Sequence, residues 1–315
     1  MNAVDWLIQV LRILVALAAA PLFLGWVNQC RAWLQNRSAP SVLQPYRGIR
    51  KLFYKDAVIA SNASPLFRLA PYVVFGAMVT AAAVIPALGA RLPLTRAADA
   101  IALVGLLATA RVFVSLAAMD VGTAFGTLGA RREMMIGFLA EPALLMVIFV
   151  ASLISAATAL PAISERIATQ ELAIYPSLAF TGVAFAMVLL AENARIPVDN
   201  PATHLELTMI HEAMLLEYSA RHLALMEWAA ALKLFNYACI GFALFIPWGF
   251  ATTHTPVAIV WSVVVLIGKL LIAGAGLAFI ETVSAKLRVF RAPEFLAAAF
   301  LFAVLGLLVH LLLGA

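Results

Sequence analysis

Residues 192–219, ENARIPVDNPATHLELTMIHEAMLLEYS, gather the side chains best able to handle protons. Glu192, Asp199, Glu206, Glu212 and Glu217 are five of the sixteen acidic residues, and His204 and His211 are two of the five histidines. The setting makes this concentration informative, because the chain is 64% hydrophobic and only 12% charged. Ionisable groups beside a bilayer are costly and usually functional. Burial raises a carboxyl pKa and lowers a lysine pKa, so both move toward neutrality, where proton transfer is easy.

More ionisable residues fall within or at the ends of apolar runs: Arg111, Glu141, Glu227, Lys233, Lys269 and Glu281. A charge at the centre of an inserted helix costs about 2.5–3.5 kcal/mol, so such groups face a cavity and pair with one another. With water between them they can relay protons. Static salt bridges that fix helix packing are the plainer alternative for any one of them. Metal ligation fits poorly, since HEAML at 211–215 lacks the second histidine of HExxH. Cys30 and Cys239 are too few for a four-thiolate cluster. No Walker loop, GxGxxG fingerprint, zinc finger or haem motif is present. No cofactor, metal or catalytic centre is therefore expected on this chain alone.

The elements that position these groups follow from hydropathy. Mean hydropathy is +1.01, and a spanning helix needs about 20 apolar residues. Eight such stretches are centred near residues 16, 77, 109, 147, 182, 238, 269 and 304. The expectation is an all-α polytopic membrane protein, one integral-membrane domain over residues 1–315, with spans over 5–27, 66–88, 98–118, 134–160, 172–191, 226–248, 256–280 and 295–313. The first is a span rather than a signal peptide, since its first charge is Asp5 and Arg12 interrupts the apolar run. Residues 44–57 place Tyr46, Ile49, Leu52 and Phe53 at helical spacing among Arg47, Arg50, Lys51 and Lys55, which predicts an interfacial amphipathic helix. Residues 120–133, with Gly122, Gly126 and Gly129, read as a loop. Asn200–Pro201 reads as a helix start. A helix running from there to His222 would align His204, His211 and His222 on one face and Glu206 and Glu217 on the opposite one.

Net charge is +5 and the pI about 9.5. Membrane topology explains this better than nucleic acid does. Connections after the odd-numbered spans hold thirteen Lys and Arg residues, and those after the even-numbered spans hold Arg91, Arg96 and Arg166. By the positive-inside rule the odd-numbered loops are expected in the cytoplasm and both termini outside, in the cytoplasmic (inner) membrane.

The segment also resembles the signature of the subunit 1 family of respiratory complex I. Glu192, Arg195, Pro197 and Asp199 match its spacing, and Glu217, Tyr218 and Ser219 match its Glu-Tyr-Ser end. Gln44–Pro45, Lys51–Leu52, Lys55, Gly129–Ala130–Arg131, Glu141 and Lys269 also match, so the resemblance covers nearly the whole chain. The departures, Gly48, Ala202, His204 and Glu281, with PATHLELTMIHEAM and RAPEFL, resemble the membrane subunit of formate hydrogenlyase and related energy-converting hydrogenases.

That branch implies a membrane anchor for a hydrophilic arm. The arm holds a nickel–iron hydrogenase large subunit with its [NiFe] centre and an iron–sulfur small subunit, and an antiporter-like membrane subunit accompanies it. The resemblance implies arm docking through Gln44, Pro45, Arg47, Lys51, Arg131, Arg195, His204 and His211. It implies ion coupling through Glu141, Glu192, Asp199, Glu206, Glu212, Glu217, Lys233, Lys269 and Glu281. The alternatives are a quinone-site subunit of an NADH–quinone oxidoreductase and a stand-alone ion transporter.

Overall fold

The computed structural model describes residues 3–87, 94, 99–169, 176–199, 209–249, 256–285, 287 and 291–313. Among these, seven helices are long and apolar enough to cross a membrane. They belong to α1 (Ala3–Leu34), α3 (Pro65–Val84), α4 (Ala100–Asp120), α5 (Ala124–Ser155), α9 (Ala220–Phe245), α10 (Pro256–Val283) and α11 (Ala292–Leu313). The shorter apolar helix α7 (Pro176–Glu192) stands at the eighth expected position. The chain is thus an all-helical polytopic membrane protein. Three short helices complete it: α2 (Gln44–Phe53), α6 (Leu160–Thr169) and α8 (His211–Leu215).

Local chemistry explains several boundaries. Ser64 starts α3, its side chain accepting from Leu66 N at 3.1 Å, with Pro65 in the first turn. Ala194, at φ +53°, stops α7. Its left-handed turn lets Arg195 N donate to Leu190 O at 2.9 Å, a closure that satisfies an end carbonyl. Pro197 then prevents the helix from resuming. In α2, Ile49 is buried while Arg47, Arg50 and Lys51 are exposed, as the amphipathic reading requires. The helix ends at Phe53, four residues short of the expected 57. Its Tyr46 hydroxyl donates to Ala18 O and ties it to α1.

Three expectations are corrected. The first span continues to Leu34, seven residues beyond 27. The glycine-bearing stretch 120–133 is mostly helix: α5 begins at Ala124 and ends at Ser155, where Ala156 adopts φ +47°. Gly129 serves close packing there, since a Cβ would lie 2.9 Å from Ile210 O and 3.0 Å from Ala213 Cβ. Finally, no single helix joins His211 to His222. α8 ends at Leu215 and α9 begins at Ala220, so the two histidines do not share a face.

The break at 216–219 is held by specific contacts. Tyr218 stacks on Phe67, ring centroids 4.1 Å apart and planes 7° from parallel, and donates its hydroxyl to Phe67 O at 3.0 Å. Ser219 Oγ donates to Val58 O at 2.6 Å and accepts from Val58 N at 2.9 Å. A continuing helix would carry both side chains away from these partners.

The helices pack around one apolar core. α4 lies between α3 and α5, α7 rests on α11 and α5, and α9 packs against α3 and α1. Exposed side chains such as Leu7, Ile101, Phe138, Trp261, Ile272 and Leu312 present apolar atoms outward, as lipid or a membrane partner requires. Tyr218→Phe is expected to lower stability by about 1 kcal/mol through the lost hydrogen bond. Tyr218→Leu should cost about 1 kcal/mol more through the lost ring pair. Thermal unfolding of the purified chain in detergent measures both.

Candidate functional site

The site is built around Arg111. α4 places this residue deep in the bundle, 6% exposed, where a guanidinium must find partners. Arg111 pairs with Glu141 of α5 and with Glu192 at the end of α7. Its Nε stands 3.4 Å from Glu133 Oε1 of α5. Lys233 of α9 brings its Nζ to 2.9 Å from the second Glu192 oxygen. Tyr237, one turn further along α9, lies beside the same carboxylate.

α5 is shaped for this guanidinium. Glu133, Gly137 and Glu141 recur at intervals of four and therefore lie on one face. A Cβ at Gly137 would overlap the Arg111 side chain. The glycine is the hollow that admits the cation between its two carboxylates.

From Glu133 the line continues outward. His211 Nε2 lies 3.2 Å from Glu133 Oε2, and its Nδ1 lies 3.4 Å from Asp199 Oδ2. The His211 backbone N–H donates to the same Asp199 oxygen at 3.2 Å. Ionisable contacts thus run unbroken through Lys233, Glu192, Arg111, Glu133, His211 and Asp199, with Glu141 as a branch. Four carboxylates therefore meet Arg111, Lys233 and one imidazole, with Arg132 a further cation near Asp199.

Beside this line is a cavity of about 410 Å³. Arg111, Glu133, Glu192, Lys233 and His211 form its polar wall, and Leu24, Val74, Met78 and Met226 form the apolar one. Glu212 is exposed at its edge. Burial alone disfavours the charged His211 ring, but Glu133 and Asp199 outweigh it and hold its pKa above the ordinary 6.5.

Residues 7–312 match the family described as NADH dehydrogenase. The chain belongs to that family. It is 34% identical over 300 residues to formate hydrogenlyase subunit 4 of Escherichia coli K12, covering 95% of this chain and 97% of that protein. Hydrogenase-4 component C of the same organism is 34% identical over 259 residues, 82% of this chain and 81% of that protein. A chain of the membrane-bound sulfane sulfur reductase, an archaeal respiratory membrane complex, matches with a TM-score of 0.82 and 19% identity, over 96% of this chain and 98% of that one. At that identity the likeness shows the fold. The resemblance to the complex I subunit 1 family, drawn from the residues, is borne out.

Within this NADH dehydrogenase family fold, the expected site residues separate into groups. Glu141, Glu192, Asp199, Lys233 and His211 meet in the line. Glu281 does not join it. It accepts from Arg195 at 3.1 Å and Arg31 at 3.4 Å, clamping the turn after α7 to α1 and α10. Arg195 is 8% exposed and belongs to this clamp rather than to a docking surface. His211 likewise turns inward. Lys269 donates to Ile246 O and Trp248 O, both at 2.6 Å, at the far end of α9 from the site. Glu217 is half-buried outside the line. Gln44, Arg47, Lys51 and Arg131 are exposed and Pro45 half-buried at the same end of the bundle. His204 and Glu206 lie outside the described residues. Among the described residues, no group of three His, Cys, Asp or Glu side chains could hold a metal ion.

Glu133 is the residue that the sequence reading missed. Assigning 120–133 to a loop hid its four-residue spacing from Gly137 and Glu141.

The raised His211 pKa gives a pH prediction. A group whose folded pKa is raised stabilises fully below its unfolded value, near 6.5. That contribution is lost as pH rises through the folded value. Hydrogen exchange in residues 209–216, corrected for intrinsic rate, should accelerate above that point. His211→Gln should remove the pH step, and Glu133→Gln should move it to lower pH.

Proposed function

We propose that this chain is the membrane anchor and ion-coupling subunit of a hydrogenase complex of the formate hydrogenlyase type. The observation that carries the reading is the unbroken ionisable line from the turn after α7 to Lys233 and Glu141. Near-full-length similarity to formate hydrogenlyase subunit 4 and to hydrogenase-4 component C supports it.

The partners follow from chemistry and surface. The arm would carry the [NiFe] centre in its large subunit and iron–sulfur clusters in its small subunit. It would dock on the end of the bundle that presents α2, Arg131 and α8, which the positive-inside rule puts in the cytoplasm of a cell with an inner membrane. Charge changes in the arm would then act first on Asp199, His211 and Glu133. A shift in their protonation changes the field at Arg111 and Glu192, so a proton can pass toward Lys233 or Glu141. The Glu141 side chain is 35% exposed in mid-span, on a flank with Phe138, Leu145 and Phe149. A carboxylate facing lipid is costly, and an antiporter-like membrane subunit seated on that flank would cover it and receive the proton.

The cavity supports a second reading. Its volume and apolar wall fit the ring of a quinone, and its polar wall could protonate one. Quinone-dependent activity sensitive to ring-competitive inhibitors would favour this reading, and activity indifferent to quinone would favour the first.

Purification of the tagged chain in mild detergent, with mass spectrometry and a nickel assay, tests the anchor reading. Stoichiometric nickel–iron hydrogenase subunits are expected, and NADH-oxidising partners without nickel would overturn it. Two substitutions test coupling. Glu192→Gln is expected to destabilise by about 3–5 kcal/mol, since it breaks a buried charge network. Glu141→Gln should leave assembly intact and lower coupled ion movement at least tenfold, within the range for losing a positioned proton carrier. Equal losses of assembly and ion movement in Glu141→Gln would assign the line to packing alone.

A further inference from the structure

A second buried cation, which the relay does not use, stands in the half of the bundle beyond it. Arg12 of α1 is 1% exposed. Its Nη2 donates to Ala82 O at 3.4 Å, while Nε and Nη1 have no hydrogen-bond partner among the described residues. The titratable group that it feels is the buried Cys239 thiol of α9, not a carboxylate. This contrasts with Arg111, whose three carboxylates neutralise it. A guanidinium stays protonated at any physiological pH, so Arg12 holds a fixed positive charge with no carboxylate paired to it among the described residues.

Its position relative to the relay is informative. On α9, Lys233, Asn236 and Cys239 follow at intervals of three. On α3, Met78 lines the cavity, and its carbonyl accepts from Asn236 Nδ2 at 3.0 Å. Ala82 lies one turn further along, about 6 Å of helix rise. Arg12 thus sits just past the relay along both helices. Other polar groups there would suit a water path: Asn236 Oδ1 and Gln9 Oε1 are buried acceptors without partners among the described residues. Gln9 Nε2 donates to Ala83 O at 2.8 Å. Lys233, Asn236 and Gln9 by themselves would lead a proton from the relay toward the N-terminal end of α1.

We propose that Arg12 is an electrostatic plug that stops protons from leaking out of the relay straight across the bundle. A fixed cation at low dielectric repels an approaching hydronium ion strongly, and an arginine set in a polar path excludes protons and cations in other membrane pores. The plug confines a proton at Lys233 to the lateral exit at Glu141. This rests on the relay reading above, but the test does not depend on it, because passive leak is measured without turnover.

The complex purified through this chain is reconstituted into liposomes containing a pH-sensitive dye. A pH step is imposed with the membrane potential clamped by potassium and valinomycin. Arg12→Met should speed decay of the pH gradient several-fold over the wild-type complex, and Arg12→Lys should leave it unchanged. Cys239→Asp keeps the guanidinium but sets a carboxylate beside it, and should also leak several-fold faster, whereas Cys239→Ala should not. Wild-type tightness in either charge-neutralising variant, assembled, overturns the proposal. Loss of assembly in Arg12→Lys as well as Arg12→Met marks Arg12 as a cap of the α3 carbonyls only, and overturns it too. A tight wild-type complex that moves no ions during turnover would count against the relay and leave the leak comparison valid.

Discussion

The burial of Arg111 constrains the rest of the structure. A guanidinium in mid-bundle needs carboxylates from more than one direction, and α5 and α7 must come close to α4 to supply them. This need accounts for the hollow at Gly137, for α7 ending on Glu192, and for Lys233 facing that carboxylate from α9. Removing Glu192 would take a buried partner from both Arg111 and Lys233 at low dielectric, so the enclosed part of the cluster behaves as a unit.

The cluster is also unequal along its length. Around Arg111 and Glu192 it is enclosed and tightly paired, which suits holding a fixed charge. Toward Asp199 the line passes through His211, which is partly accessible. That is the part able to respond to a charge arriving from outside. Glu141 is the other opening, on a flank that faces lipid or a neighbouring subunit. A line closed in the middle and open at two ends suits transmission, and it lies in a chain whose relatives are hydrogenase and formate hydrogenlyase membrane subunits.

Three features that read as functional in the sequence serve the architecture around the line. The Glu-Tyr-Ser end of the acidic segment anchors the break between α8 and α9, through Tyr218 on Phe67 and Ser219 on Val58. Glu281, with Arg195 and Arg31, fixes the turn that carries Asp199. Lys269 holds the chain that follows α9 by binding the carbonyls of Ile246 and Trp248. In each case charge or hydrogen bonding fixes geometry outside the ionisable line rather than within it.

Hydropathy by itself determined the membrane class, the eight apolar helices and the amphipathic α2, because burial in lipid demands long apolar runs and backbone bonds closed within each segment. Residue types also identified Arg111, Glu141, Glu192 and Lys233 as groups needing partners, since their cost in a bilayer is legible one residue at a time. Which of them pair was decided only by the tertiary structure. Glu133, hidden in what read as a glycine loop, proved to be in the line, while Glu281 and Lys269 proved to be outside it. Pairing depends on distances between helices far apart in sequence, and on a glycine whose use is the absence of a side chain opposite Arg111. Neither is written in hydropathy or spacing along a single segment.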